Sequence, residues 1–64
     1  MVVNGKQHSW ERPANLMEFV ESLGLDPRTV AVERNGAIVR RETWPDVKLE
    51  QEDRLEIIRF VGGG

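Results

Sequence analysis

The chain has 64 residues and no cysteine, with nine basic against eleven acidic side chains and a formal net charge of −2. That length makes one domain near the lower limit for folding without metals or disulfides, with no thiolate nucleophile, no zinc–thiolate cluster and a single histidine that cannot hold a metal by itself. Interspersed charge disfavours nucleic acid, no apolar run is long enough to span a bilayer and no signal segment opens the chain, so a soluble, cytoplasmic protein is expected, its chemistry supplied by partners.

In chain order, Met1-Val2-Val3, Asn4-Gly5-Lys6 and Gln7 to Glu11 read as a hairpin, because Asn-Gly supplies the two positive-φ residues of a type I′ turn. Pro13 is expected to end the second strand. Asn15 stands three residues before Glu18, the capping-box spacing, so a helix starts at Leu16. Leu16, Phe19, Val20 and Leu23 form one apolar stripe for the core, with Glu18, Glu21 and Ser22 pointing away. Gly24 supplies a left-handed C′ residue and Pro27 prevents continuation.

Thr29 to Glu33 and Ala37 to Val39 read as strands around a second Asn-Gly turn at Asn35-Gly36. Arg40 to Pro45 has neither period, and Trp44 before Pro45 is expected to plug a tight turn or single helical turn onto the core. A brief strand is expected through Val47 and Leu49, then a turn at Glu52-Asp53 and a final strand from Arg54 to Val61. The expected class is α+β, in the order ββαβββ or close to it: a mixed sheet of four to five strands with one main helix across one face.

Alternation along the last strand carries the functional reading. With Leu55 and Ile57 toward the helix, Glu56, Ile58 and Phe60 point the other way. Ile58, Phe60 and Val61 are the expected partner-binding surface, and Gly62-Gly63-Gly64 follow directly. The expectation is a flexible tail whose Gly64 carboxylate enters a partner's active site as a substrate. Glycines accept backbone angles that other residues avoid, and four extended residues reach about 12 Å beyond the last packed side chain. The bland alternatives are a frayed end for the glycines and a loop folded over the apolar pair.

Val30-Ala31-Val32-Glu33-Arg34-Asn35-Gly36, Ile38-Val39, Arg41, Trp44, Leu49, Asp53, Glu56-Ile57 and Phe60-Val61-Gly62-Gly63-Gly64 together resemble the ThiS family of thiamin-biosynthesis sulfur carriers. The resemblance covers essentially the whole chain. It implies a ubiquitin-like β-grasp, one sulfur-carrier domain over residues 1–64 with its tail at 62–64, monomeric when free and without a cofactor of its own. It further implies a ThiF-type adenylating enzyme that uses ATP and Mg²⁺ to convert the Gly64 carboxylate to an acyl-adenylate. A sulfur donor such as a cysteine desulfurase then leaves a thiocarboxylate at Gly64, and a ThiG-type thiazole synthase receives the sulfur. Two other functions share this architecture and tail: the small subunit of molybdopterin synthase, and a ubiquitin-like modifier joined through Gly64 to lysines.

Two positions depart from the family pattern. Arg40 stands where Pro is usual, and Glu52 where Gly commonly precedes Asp53, a site favouring positive φ. The remaining polar residues take plain roles. His8 is read as an edge histidine, Glu50, Glu52 and Asp53 as a solvated acidic turn, and Arg40-Arg41 as a surface pair balancing Glu42 and Asp46.

Overall fold

Two Asn-Gly pairs shape the sheet. In the computed structural model, which describes residues 1–9 and 15–60, Asn4 and Gly5 have φ of 51° and 79°, and Asn35 and Gly36 have φ of 53° and 90°. These are the paired left-handed conformations that a type I′ hairpin needs. The first pair joins β1 (Val2–Val3) to β2 (Lys6–Gln7), and the second joins β3 (Val30–Arg34) to β4 (Ala37–Ile38). The second strand is shorter than expected and includes Lys6; Trp10, Glu11 and Pro13 lie outside the described residues.

The last strand, β5 (Arg54–Arg59), occupies the middle of a five-stranded sheet of order β2-β1-β5-β3-β4. It runs parallel to β1 and antiparallel to β3. With α1 (Leu16–Ser22) packed across one face, this is the ubiquitin-like β-grasp arrangement, in the expected order ββαβββ. Both hairpin asparagines also hold β5. Asn4 Oδ1 accepts from Ile57 N–H at 2.7 Å, and Asn4 Nδ2 donates to Ile57 O at 3.3 Å, so a side chain extends the ladder beyond β1. Asn35 Oδ1 accepts from Arg54 N–H at 2.9 Å, where β5 begins.

The helix starts as its sequence requires. Asn15 Oδ1 accepts from Glu18 N–H at 2.8 Å while Glu18 Oε1 accepts from Asn15 N–H at 3.3 Å, satisfying two otherwise orphaned donors. It ends at Gly24, whose φ of 78° places it in the left-handed region and whose N–H reaches Glu21 O at 2.9 Å. Leu16, Phe19 and Val20 are fully buried, together with Val30, Val32, Trp44 and Leu55. Leu23, expected on the same stripe, is 36% exposed because it is the C-cap, where the chain leaves the helical path. Asp26 caps a 3₁₀ turn at Pro27–Thr29, so Thr29, expected as strand, precedes it.

Arg41–Asp46 forms a 3₁₀ helix, the expected helical turn, with Trp44 only 1% exposed. Trp44 Nε1 donates to Val39 O at 3.0 Å. Arg41 does more than balance charge at the surface: it is exposed and its charge helps lower the Glu42 pKa, while its guanidinium also donates to Pro27 O and Val30 O and lies 5.7 Å from the centroid of the Trp44 ring. Arg40 does pair with Glu42, at 2.9 Å and well exposed. Its φ of −66° is the angle a proline would impose, so this departure from the family pattern keeps the backbone geometry.

No strand forms through Val47 and Leu49. The segment meets α1 instead, Val47 O accepting from Leu16 N–H at 2.9 Å beside an isolated bridge between Asn15 and Lys48. The turn that follows holds a correction to the solvated acidic cluster. Glu50 and Glu52 are exposed, whereas Asp53 is 4% exposed. Asp53 accepts from Glu50 N–H at 2.8 Å, Arg34 Nε at 3.0 Å and Asn35 Nδ2 at 3.1 Å. Burial pushes its pKa up, but the hydrogen bonds from Glu50 N–H, Arg34 and Asn35 and the Arg34 charge outweigh it, holding the carboxyl below its ordinary range. Among described non-glycine residues only Asn4 and Asn35 have positive φ, so Glu52 is spared the left-handed strain its position implied.

Candidate functional site

A central strand exposes one face only if nothing packs on that side of the sheet, and α1 covers just one side. Leu55 and Ile57 are buried beneath it, 1% and 8% exposed, while Ile58 and Phe60, offset by one, are 46% and 58% exposed. The alternation expected from the sequence therefore holds, and no loop among the described residues buries the two side chains. Phe60 N–H donates to Thr29 O at 2.9 Å, so the pairing with the β3 side continues one residue past β5 and keeps Phe60 against the sheet.

Register enlarges the apolar surface. Ala31 lies opposite Ile58, and Glu33 lies opposite both Glu56 and Ile38. Directly opposed residues share a face, which puts Ile38, 64% exposed, on the side of Ile58 and Phe60. Ile38 was missed in the sequence; the signal was available in the Asn35-Gly36 turn, whose geometry fixes the pairing of Ile38 with Glu33. The opposed carboxylates Glu33 and Glu56 sit at the edge of this surface. Such a pair is mildly unfavourable in the free protein.

The remaining predicted site residues, Val61, Gly62, Gly63 and Gly64, lie outside the described residues. What the structure places is the residue before them, Phe60, at the end of the central strand. Among the described residues no group of three or more His, Cys, Asp and Glu side chains is arranged to hold a metal ion. His8 sits beside the core, its ring edge-on to Phe19 with centroids 5.8 Å apart. No helix among the described residues is long and apolar enough to cross a membrane.

With this geometry in view, the comparisons with known proteins are specific. The model of the ThiS family matches residues 1–64. The sulfur carrier protein ThiS of Bacillus subtilis is 36% identical over 63 residues, which is 97% of this chain and 96% of that protein. A thiazole synthase of Magnetococcus marinus is 42% identical over 62 residues, 97% of this chain but 19% of that protein. One from Paramagnetospirillum magneticum is 38% identical over 64 residues, again with the chain spanning about a fifth of its length, 20%. The crystal structure of the thiamine biosynthesis protein (ThiS) from Geobacter metallireducens superimposes with a TM-score of 0.83 at 30% identity, covering 98% of this chain and 96% of that one.

Proposed function

This chain belongs to the ThiS family, and on that premise we propose that it is a sulfur carrier for thiamin biosynthesis, a protein co-substrate that works through Gly64. A carboxylate is a poor electrophile because its charge is shared by two oxygens. A ThiF-type partner, using ATP and Mg²⁺, joins the Gly64 carboxylate to AMP with release of pyrophosphate. A sulfur nucleophile then attacks the acyl carbon, the bond to the AMP oxygen breaks and a thiocarboxylate remains. The absence of cysteine from the chain fits this division of labour: any persulfide is held by a partner such as a cysteine desulfurase.

The single observation that supports this reading most is the exposed pair Ile58 and Phe60 on the strand that leads into the glycines. One docking event on that surface would align residues 62–64 with a partner's active site, converting a chance encounter into a positioned reaction. The match to part of two thiazole synthases supports a thiazole synthase as recipient of the sulfur.

Incubation of the full chain with the adenylating enzyme, ATP, Mg²⁺ and sulfide should replace one oxygen by sulfur, detected by mass on the proteolytic fragment that holds Gly64. The variant lacking Gly63-Gly64 should stay unmodified while its thermal midpoint moves by no more than a few degrees. Sulfur on a fragment without Gly64 would sink the proposal. Gly64 joined to lysines in cell extracts, with no thiocarboxylate, would favour the modifier instead.

The apolar surface has its own test. Burying Ile58 or Phe60 against a partner contributes about 1.5–3 kcal/mol each before association costs. Ile58→Ala and Phe60→Ala should therefore weaken binding to the adenylating enzyme and to the thiazole synthase by about tenfold or more. Because both side chains are exposed, stability should stay within about 0.5 kcal/mol of the parent. Normal binding by both variants, or a stability loss as large as that of Leu55→Ala, would place the interface elsewhere.

A further inference from the structure

The helix-side face of the sheet is incompletely covered. Strand alternation directs Val3, Lys6, Ile57 and Arg59 to that side: Lys6 lies opposite Val3, Val3 opposite Leu55, and Ile57 opposite the buried Val32. Helix α1 stops at Ser22, and the chain turns away at Gly24 before it reaches the β2 end of this face. A groove of about 380 Å³ is left there. Its floor is apolar, made by Val3, Leu23, Leu25 and Ile57. Lys6, His8 and Arg59 line it as well.

The charge of this groove runs against that of the chain. Acidic residues outnumber basic ones in the sequence, yet among the described residues no acidic side chain lines the groove. The ion pairs among the described residues are Arg28–Asp26, Arg34–Asp53 and Arg40–Glu42, so neither Lys6 nor Arg59 is neutralised by a described neighbour. The amide of Asn4, which also lines the groove, is committed to the backbone of Ile57. His8 is held by its edge-on contact with Phe19 and by its N–H, which donates to Met1 O at 2.8 Å. An apolar floor beside cations with no ion-pair partner among the described residues is complementary to a bulky apolar group flanked by carboxylates.

We propose that this groove docks a short acidic segment of a partner protein, one large apolar side chain resting on Leu23, Leu25, Val3 and Ile57 while its flanking carboxylates meet Lys6 and Arg59. The groove lies on the opposite side of β5 from Ile58 and Phe60, so the two surfaces can be occupied together. A segment seated here adds a second point of attachment, raising the effective concentration of the partner at the other surface. Charge attraction at its rim also speeds encounter and makes it dependent on ionic strength.

The test uses the full chain, isotope-labelled for NMR, titrated with a short peptide that alternates Asp and Glu around a central Phe. Shifts should concentrate at Lys6, His8, Leu25 and Arg59, leaving Ile38 and Ile58 unmoved. Affinity should fall about tenfold in Lys6→Glu and in Arg59→Glu, and by a similar factor when the peptide's Phe becomes Ala or its acids become Lys. Two charge-reversal variants are used because each is exposed on a different strand; thermal midpoints close to the parent show that folding is not what changed. Absence of binding, binding indifferent to both reversals, or shifts confined to the Ile58 and Phe60 face would overturn the proposal. So would the same shifts produced by inorganic phosphate alone, which would make the groove a small-anion site, or by raising the protein concentration without peptide, which would make a second copy the occupant.

Discussion

Trp44→Ala should remove a large share of the fold's stability, about 3–5 kcal/mol. Trp44 is among the largest side chains in the core, 1% exposed, and it fills the space between α1 and the Arg41–Asp46 turn. Truncating a buried aromatic residue costs about 3–5 kcal/mol in lost transfer energy and residual cavity. Val39 O also loses its indole donor, and the Arg41 guanidinium loses the ring beneath it. A domain of this size has a total stability on the order of 3–10 kcal/mol, so the loss is comparable to the whole. Trp44→Phe separates the contributions, keeping most of the packing and giving up the hydrogen bond, for a cost of about 1–2 kcal/mol. Circular dichroism during thermal melts should then show a midpoint lowered by about 12–40 °C for the alanine variant and by about 4–16 °C for the phenylalanine variant. A midpoint within a few degrees of the parent in Trp44→Ala would mean that the plug is dispensable.

Asp53→Ala should be nearly as damaging, at about 3 kcal/mol, because it strips a buried carboxylate from three donors at once and leaves Arg34 without its counter-charge. The same residue gives the fold an acid-sensitive component. Its pKa in the folded state lies below the ordinary value, so its stabilising contribution is fully present above the unfolded pKa of about 3.9 and is lost as pH falls through the lower folded value. Urea midpoints measured at about pH 7 and pH 3 should therefore fall further in the parent than in Asp53→Asn, which has no charge to lose. Equal losses in the two proteins would assign the acid sensitivity to other carboxylates.

Signals confined to a few neighbouring residues were legible in the sequence. The Asn-Gly turns, the Asn15–Glu18 box and the Gly24 stop depend on backbone angles that those residues dictate themselves, and each appears in place. Period-two alternation likewise placed Leu55 and Ile57 inside and Ile58 and Phe60 outside. What failed depended on partners distant along the chain. Val47 and Leu49 have the spacing of a strand, yet a ladder needs an available edge, and Lys48 meets only Asn15 in an isolated bridge. Asp53 looked like a member of a solvated turn because Arg34 and Asn35, which neutralise and bind it, lie 19 and 18 positions away. The site divides in the same manner. Ile58 and Phe60 could be read from alternation within one strand, whereas Ile38 joined them only when the register of β3 with β4 and β5 was known.

The position of β5 between a parallel and an antiparallel neighbour has a mechanical consequence. A partner that draws on the residues after Phe60 pulls along the axis of the central strand, and the hydrogen bonds to β1 and β3 lie across that axis. The load is then shared by both ladders in shear, instead of opening one bond at a time as in peeling a hairpin from its end. Asn4 and Asn35 add side-chain cross-ties at Ile57 and Arg54, one from each side of the loaded strand. Under the proposed docking, a partner's pull on the chain beyond Phe60 is thus borne by the described sheet as a whole, which keeps its shape under that load.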